Sequence, residues 1–370
     1  MKMKTKVSLT THELGSVTLS NRIVMAPMTR SRAINNIPNQ LMATYYAQRA
    51  SAGLIITEGV SPSLNGLGYP RIPGIFSTEQ TAGWKQITQV VHDKGGKIFM
   101  QLMHTGRIGH YDNLPDGGRV LAPSAIQAKG KMWTDQLGLQ DFPVPQALTA
   151  EELHHAKNEF ISAAQNAVDA GFDGVELHAA NGYLLEQFLS PFTNQRTDNY
   201  GGSVENRTRF VLEVAAGVAQ KIGKGKIGIR FSPYGLFNDM AHYSEIDATY
   251  TYLAEELDKL SIGYIHLVDT SSDGNPGVPL QLKTTIRNKF NNTIILTGGY
   301  NLANAERDIS AGLADLIGFA RPFISNPDLV YRFQKNLPLN RKLDASTFFA
   351  ADEKGYIDYP AFEEASVSVF

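Results

Sequence analysis

The densest group of side chains able to do chemistry is Glu176-Leu177-His178-Ala179-Ala180-Asn181-Gly182-Tyr183. The three-residue spacing of His178 and Asn181 can aim an imidazole and an amide at one point. Two neutral donors converging on one oxygen make an oxyanion site. Tyr183, two residues further on, can supply a proton. The same residues can also make a helix-capping cluster with a buried tyrosine, and both readings stand at this level.

Other polar residues follow short apolar runs. Arg230 sits inside Ile227-Gly228-Ile229-Arg230-Phe231. A guanidinium there is rarely unpaired, so it binds either a permanent ligand charge or an internal carboxylate, Glu58 or Glu176. Gly298-Gly299 and Ala320-Arg321 each follow an apolar run, offering glycine backbone and a cation to a phosphate, with a turn and a salt bridge as the alternative. Gln101 ends another such run, as a satisfied core amide or a ligand contact. Thr29, Gly59 and His104 complete the shortlist. Glu58 and His104 lack a close His/Asp partner set, so no metal site is expected.

Eight β-rich runs carry these residues: 22–26, 54–58, 97–102, 174–178, 227–231, 264–268, 293–297 and 316–319. Most are continuously apolar, as strands buried on both faces are. Helical patterns separate them at 78–94, 149–170, 203–222, 244–260, 279–290, 302–311 and 326–334. Thr149-Ala150-Glu151-Glu152 reads as a capping-box start. Parallel strands joined by helices predict a (β/α)₈ TIM barrel, whose site lies at the C-terminal strand ends. A doubly wound sheet is the alternative, but Ala26-Pro27-Met28-Thr29 is no dinucleotide fingerprint. Residues 7–20 are expected to form a hairpin lid plugging the barrel bottom. Residues 103–148, rich in Gly, Pro and Asp, are expected to cap the top. Gly223-Lys224-Gly225-Lys226-Ile227-Gly228 matches G-x-G-x-x-G but lies between a helix and a strand, so it reads as a tight turn.

Composition narrows the classes. The absence of cysteine excludes disulfides, thiolate metal sites and a cysteine nucleophile. It also suits a reducing compartment. A net charge of −2 offers no global basic surface for nucleic acid or anionic membrane. The basic start at 1–6 runs into His12 and Glu13 rather than an apolar signal core. The expectation is a cytoplasmic enzyme with a single domain over 1–370. The residues point to a barrel enzyme for a phosphate-bearing ligand, with an isomerase, an aldolase or a non-catalytic binder as runners-up.

Ala26-Pro27-Met28-Thr29-Arg30-Ser31-Arg32 resembles the opening motif of the old yellow enzyme family of flavin ene-reductases. Residues 45–53 (YYAQRASAG), 95–107 (GGKIFMQLMHTGR), 178–191 (HAANGYLLEQFLSP), 194–203 (NQRTDNYGGS) and 355–360 (GYIDYP) are similar to the same family. The resemblance implies non-covalent FMN and reduction of activated C=C bonds with NADPH or NADH. It implies that Pro27, Met28, Thr29, Gly59, Gln101 and Arg230 line the isoalloxazine. Thr29 would bond the flavin C4 oxygen, Gln101 would meet the pyrimidine edge, and Arg230 would stabilise negative charge on reduced flavin. Gly298, Gly299, Ala320 and Arg321 would hold the phosphate, and Phe349 would pack near the dimethylbenzene edge.

By the same resemblance, His178 and Asn181 bind the carbonyl or nitro oxygen of the substrate. Flavin N5 delivers hydride to the β-carbon and Tyr183 protonates the α-carbon. Tyr69, Met103, Asn238 and Tyr356 are implied as pocket walls. Substrates are small enones, quinones or nitro compounds; no oligomeric state is implied. Three departures matter. Met103 stands where several relatives have tryptophan, so their size preferences do not carry over. Asn181 replaces a second histidine. Thr29 stands where another branch has cysteine, which implies the threonine branch.

Overall fold

The computed structural model describes residues 6–274 and 276–362. The basic start at 1–5 lies outside the described residues. Eight strands are β1 (Ile23–Met25), β2 (Leu54–Val60), β3 (Ile98–Leu102), β4 (Gly174–Ala179), β5 (Ile227–Phe231), β6 (Tyr264–Val268), β7 (Thr293–Thr297) and β8 (Leu316–Phe319). They pair in parallel in chain order, and β8 closes on β1. Every one is buried along its whole length. Closure explains the continuous apolar runs: one face of each strand meets the helices and the other fills the barrel.

The helices are α1 (Gln40–Gln48), α2 (Thr78–His92), α3 (Ala150–Asp169), α4 (Leu184–Leu189), α5 (Val204–Ile222), α6 (Ile246–Leu260), α7 (Leu280–Lys289), α8 (Leu302–Ser310), α9 (Arg321–Ser325) and α10 (Leu329–Lys335). Thr149 and Glu152 close a reciprocal capping box on α3, each satisfying a backbone N–H that the first turn leaves open. Sequence patterns place seven of these helices to within a few residues and miss α1, α4 and α9.

His12–Leu14 and Val17–Leu19 form an antiparallel hairpin. Its Leu14, Val17 and Leu19 pack with Val24, Leu54, Phe99, Tyr264 and Leu316, sealing the N-terminal end of the barrel. At its turn, Gly15 has φ 58° and lies so close to the chain that a Cβ would sit 2.1 Å from the Gly225 carbonyl oxygen. Only glycine fits there. Residues 223–226 therefore form the turn that leads into β5 at the barrel bottom, remote from the strand C-termini. At the other end, the segment after β3 forms a second hairpin from Lys131–Thr134 and Gly138–Asp141.

Candidate active site

A cleft of about 1080 Å³ opens at the C-terminal strand ends. Met28 and Thr29 line it from the end of β1, Ala320 and Arg321 from the end of β8, and Tyr183 from the start of α4. The 131–141 hairpin lends Met132, Trp133 and Leu139, and the C-terminal segment lends Phe348 and Phe349. Pockets of this size lined by apolar side chains with a few polar groups are typical small-molecule sites.

The chain leaves β4 through a tight turn. Asn181 has φ 58° and Gly182 φ 75°, a region Asn tolerates better than most residues. Hydrogen bonds hold it there. The Asn181 N–H donates to Ser232 Oγ at 2.7 Å, and the Asn181 carbonyl accepts from Asn238 Nδ2 at 2.7 Å. The Gly182 N–H donates to Glu186 Oε2 at 2.5 Å. Glu186 Oε1 accepts from Ser232 Oγ at 2.6 Å and from the Tyr250 hydroxyl at 3.1 Å. The turn is thus seated on one buried carboxyl.

His178 is 3% exposed, and its Nδ1 is buried without a partner. Burial, then the Arg230 charge, holds its pKa well below the ordinary value, so the ring is neutral near pH 7. Its ring meets Tyr183 edge-on, with centroids 4.9 Å apart. The Tyr183 hydroxyl donates to the Tyr69 hydroxyl at 3.1 Å. Burial raises the pKa of both phenols, which keeps their protons in place. A neutral imidazole and a protonated phenol therefore share one corner, beside the turn that carries Asn181.

Inside the barrel, Gln101 Nε2 donates to Glu176 Oε1 at 2.8 Å. Glu58 takes the Arg30 N–H at 3.2 Å and the Tyr46 hydroxyl at 3.4 Å. Of the two carboxylates weighed for Arg230, Glu176 is the one whose charge acts on it. Yet Arg230 Nε remains buried without a partner.

Burial pushes the carboxyls of Glu186 and Glu58 up to about 7. The unfolded chain releases each proton near 4.5, whereas the fold keeps it to about 7. This contribution is therefore full below 4.5 and lost as pH rises to 7. Buried neutral histidines act with the opposite sign, so the variant is compared with wild type. Relative to wild type, Glu186→Gln is expected to gain about 3 kcal/mol between pH 4.5 and 7 in denaturant unfolding. A constant difference across that window would show that folding leaves the Glu186 pKa at its ordinary value.

Several features suit a phosphate-bearing flavin such as FMN. Arg230 and His178 keep unpaired buried nitrogens at the strand ends. Gly298 has φ 124°, and a Cβ there would lie 1.9 Å from the Asp269 carbonyl oxygen; Gly299 has φ 63°. That backbone faces no side chain of its own, and the exposed Arg321 follows the adjacent strand. Pro27 is half-buried beside Met28 and Thr29. Gly59 leaves no room for a Cβ, which would lie 2.5 Å from Met103 Sδ. Met103 is buried with Tyr183, Met132 and Phe142, backing the wall on which Tyr69 and Asn238 lie.

One expectation is corrected. Tyr356 is not a pocket wall: it is fully buried and stacks on Tyr45 with centroids 4.1 Å apart. The Arg32 guanidinium lies 4.6 Å over its ring. Three buried arginines seat this segment through its carbonyls. Arg30 donates to Gly355 at 2.7 Å, Arg32 to Phe348 and Thr347 at 2.8 Å, and Arg49 to Tyr356 at 3.4 Å. The aromatics this segment lends to the cleft are instead Phe348, which sequence reasoning missed, and Phe349, 59% exposed. Two adjacent phenylalanines in a polar stretch were the available signal.

A closed parallel barrel with these unpaired nitrogens, glycine backbone and protonated phenols at its C-terminal mouth suits a barrel oxidoreductase of the flavin-binding kind. Residues 12–340 match the NADH:flavin oxidoreductase / NADH oxidase family, and the chain belongs to that family. It is an FMN-dependent NAD(P)H oxidoreductase of the old yellow enzyme type.

The solved structure of morphinone reductase superposes with a TM-score of 0.94 at 40% identity, covering 100% of both chains. A putative 12-oxophytodienoate reductase 3 of Oryza sativa subsp. japonica is 40% identical over 359 residues, 95% of this chain and 92% of that protein. A probable flavin mononucleotide-dependent alkene reductase of Leishmania infantum is 39% identical over 353 residues, 94% of this chain and 95% of that protein. No helix among the described residues is long and apolar enough to cross a membrane.

Proposed function

We propose that this chain is an ene-reductase, reducing the C=C bond of α,β-unsaturated carbonyl or nitro compounds, with His178, Asn181 and Tyr183 as the residues that meet the substrate. The observation that carries this reading is the buried, unpartnered Nδ1 of a neutral His178 against a protonated Tyr183. When bound, FMN supplies the hydride, taken from NADPH or NADH and passed to the β-carbon. His178 and Asn181 hold the substrate oxygen and favour the charge that develops on it. Tyr183 gives its proton to the α-carbon, with the Tyr69 hydroxyl behind it. Thr29, Gln101 and Arg230 would face the flavin ring, and Gly298, Gly299, Ala320 and Arg321 its phosphate. Phe349 and Phe348 would form the outer aromatic wall. Quinones fit the same site. The reading takes 1–370 as one catalytic domain working in the cytoplasm on small molecules.

The test is a pair of half-reactions without oxygen. FMN-loaded protein should be bleached by NADPH or NADH and recoloured by 2-cyclohexenone or a nitroalkene. Recolouring by quinones or oxygen but by no enone would overturn the assignment. The phosphate reading has its own test. Arg321→Ala should weaken FMN binding more than riboflavin binding, because charge-assisted bonds to the phosphate are lost. Equal losses for the two ligands would contradict it.

A further inference from the structure

A polar chain crosses the barrel interior from β3 to β7. Gln101 Nε2 donates to Glu176 Oε1 at 2.8 Å. Glu176 Oε2 lies 2.8 Å from His266 Nδ1, and His266 Nε2 lies 2.7 Å from Thr297 Oγ1. Glu176 and His266 are both 0% exposed. Arg230 is in register with His178 on one side and His266 on the other.

We propose that Glu176 is a positioning residue that sets the reduction potential of the bound flavin, offsetting the Arg230 charge and fixing the Gln101 amide. The inference rests on the flavin reading above. Glu176 engages the Gln101 amide nitrogen, which leaves the amide oxygen to accept a cofactor N–H. A carboxylate can only accept, so His266 must donate from Nδ1, and its Nε2 then accepts from the Thr297 hydroxyl. Burial keeps His266 neutral; burial also works against the Glu176 charge, but the hydrogen bond from His266 and the Arg230 charge outweigh it and hold its pKa down. The layer thus holds one negative charge against the one positive charge of Arg230. Reduction adds negative charge to the flavin. Removing the Glu176 charge leaves Arg230 uncompensated, which favours the reduced form.

Glu176→Gln removes the charge while the network can stay satisfied. The new amide oxygen can accept from Gln101 and the new amide nitrogen can donate to His266 Nδ1. His266 must then change tautomer and donate from Nε2 to Thr297. The expected result is a higher midpoint potential of bound FMN in the variant, with the His266 proton moving from Nδ1 to Nε2 in ¹⁵N NMR. An unchanged potential in a variant that holds FMN would overturn the proposal. If the variant fails to retain FMN, the wild-type His266 tautomer decides. Protonation at Nδ1 supports an ionised Glu176. Protonation at Nε2 requires a protonated Glu176 and overturns the charge assignment. A wild-type protein that takes up no FMN would instead remove the flavin reading itself.

Discussion

Tyr183→Phe is expected to slow reoxidation of the reduced enzyme by enones about 10²–10⁴-fold, the usual contribution of a positioned general acid. Reduction of the flavin by NAD(P)H should stay near wild type, because no proton is delivered to carbon in that half-reaction. Loss of the hydroxyl leaves Tyr69 as the nearest phenol, one hydrogen bond further back. Tyr69 cannot reach the same carbon without moving, so it should not rescue the variant. Strongly activated nitroalkenes should suffer least, since their anion can leave and be protonated in water. Stopped-flow measurement of the two half-reactions checks this. Equal slowing of both would assign Tyr183 a structural role, as the edge-on partner of His178.

His178→Ala and Asn181→Ala are each expected to abolish most of the long-wavelength band that a bound phenolate makes over oxidised FMN. A free phenol of tyrosine-like acidity titrates near 10. A hydrogen bond to a charged oxygen contributes about 1.5–3 kcal/mol, and one pKa unit is about 1.4 kcal/mol. Two donors can therefore lower the bound phenol's pKa by roughly 2–4 units, before desolvation takes part of it back. Each variant should bind para-substituted phenols more weakly, with a raised apparent pKa. Enone turnover should fall about 10- to 100-fold per donor removed. An unchanged band in both variants would show that the oxygen binds elsewhere, and the substrate orientation would fall with it.

The barrel was legible because closure buries both faces of every strand, and five of the eight runs end where the structure ends them. β2 runs on to Val60 because Glu58, a charge at the end of an apolar run, is buried between the Arg30 backbone and Tyr46. α1 was not legible. Its buried Met42, Ala43, Tyr45 and Tyr46 sit in a short stretch with no clear 3.6 period.

His178, Asn181 and Tyr183 could be read because one turn carries them all. Their supports could not. Ser232 reaches Glu186 across 46 positions and His266 reaches Glu176 across 90, and no local pattern encodes such meetings. The Gly355-Tyr356 stretch misled for a related reason. An aromatic beside a glycine suits a pocket rim and a buried stack equally, and only the arginines of the 30–49 region decide between them.

Those arginines have an evolutionary consequence. They grip the 347–356 segment by its backbone oxygens, which every amino acid possesses. At position 349 the anchor is thus indifferent to the side chain, whereas the Tyr356 ring is itself part of the grip. Phe349 can be exchanged over generations without unseating the wall that presents it. The molecule separates what holds the rim from what the rim selects, so new substrate tastes can be sampled there while the barrel and its chemistry stand unchanged.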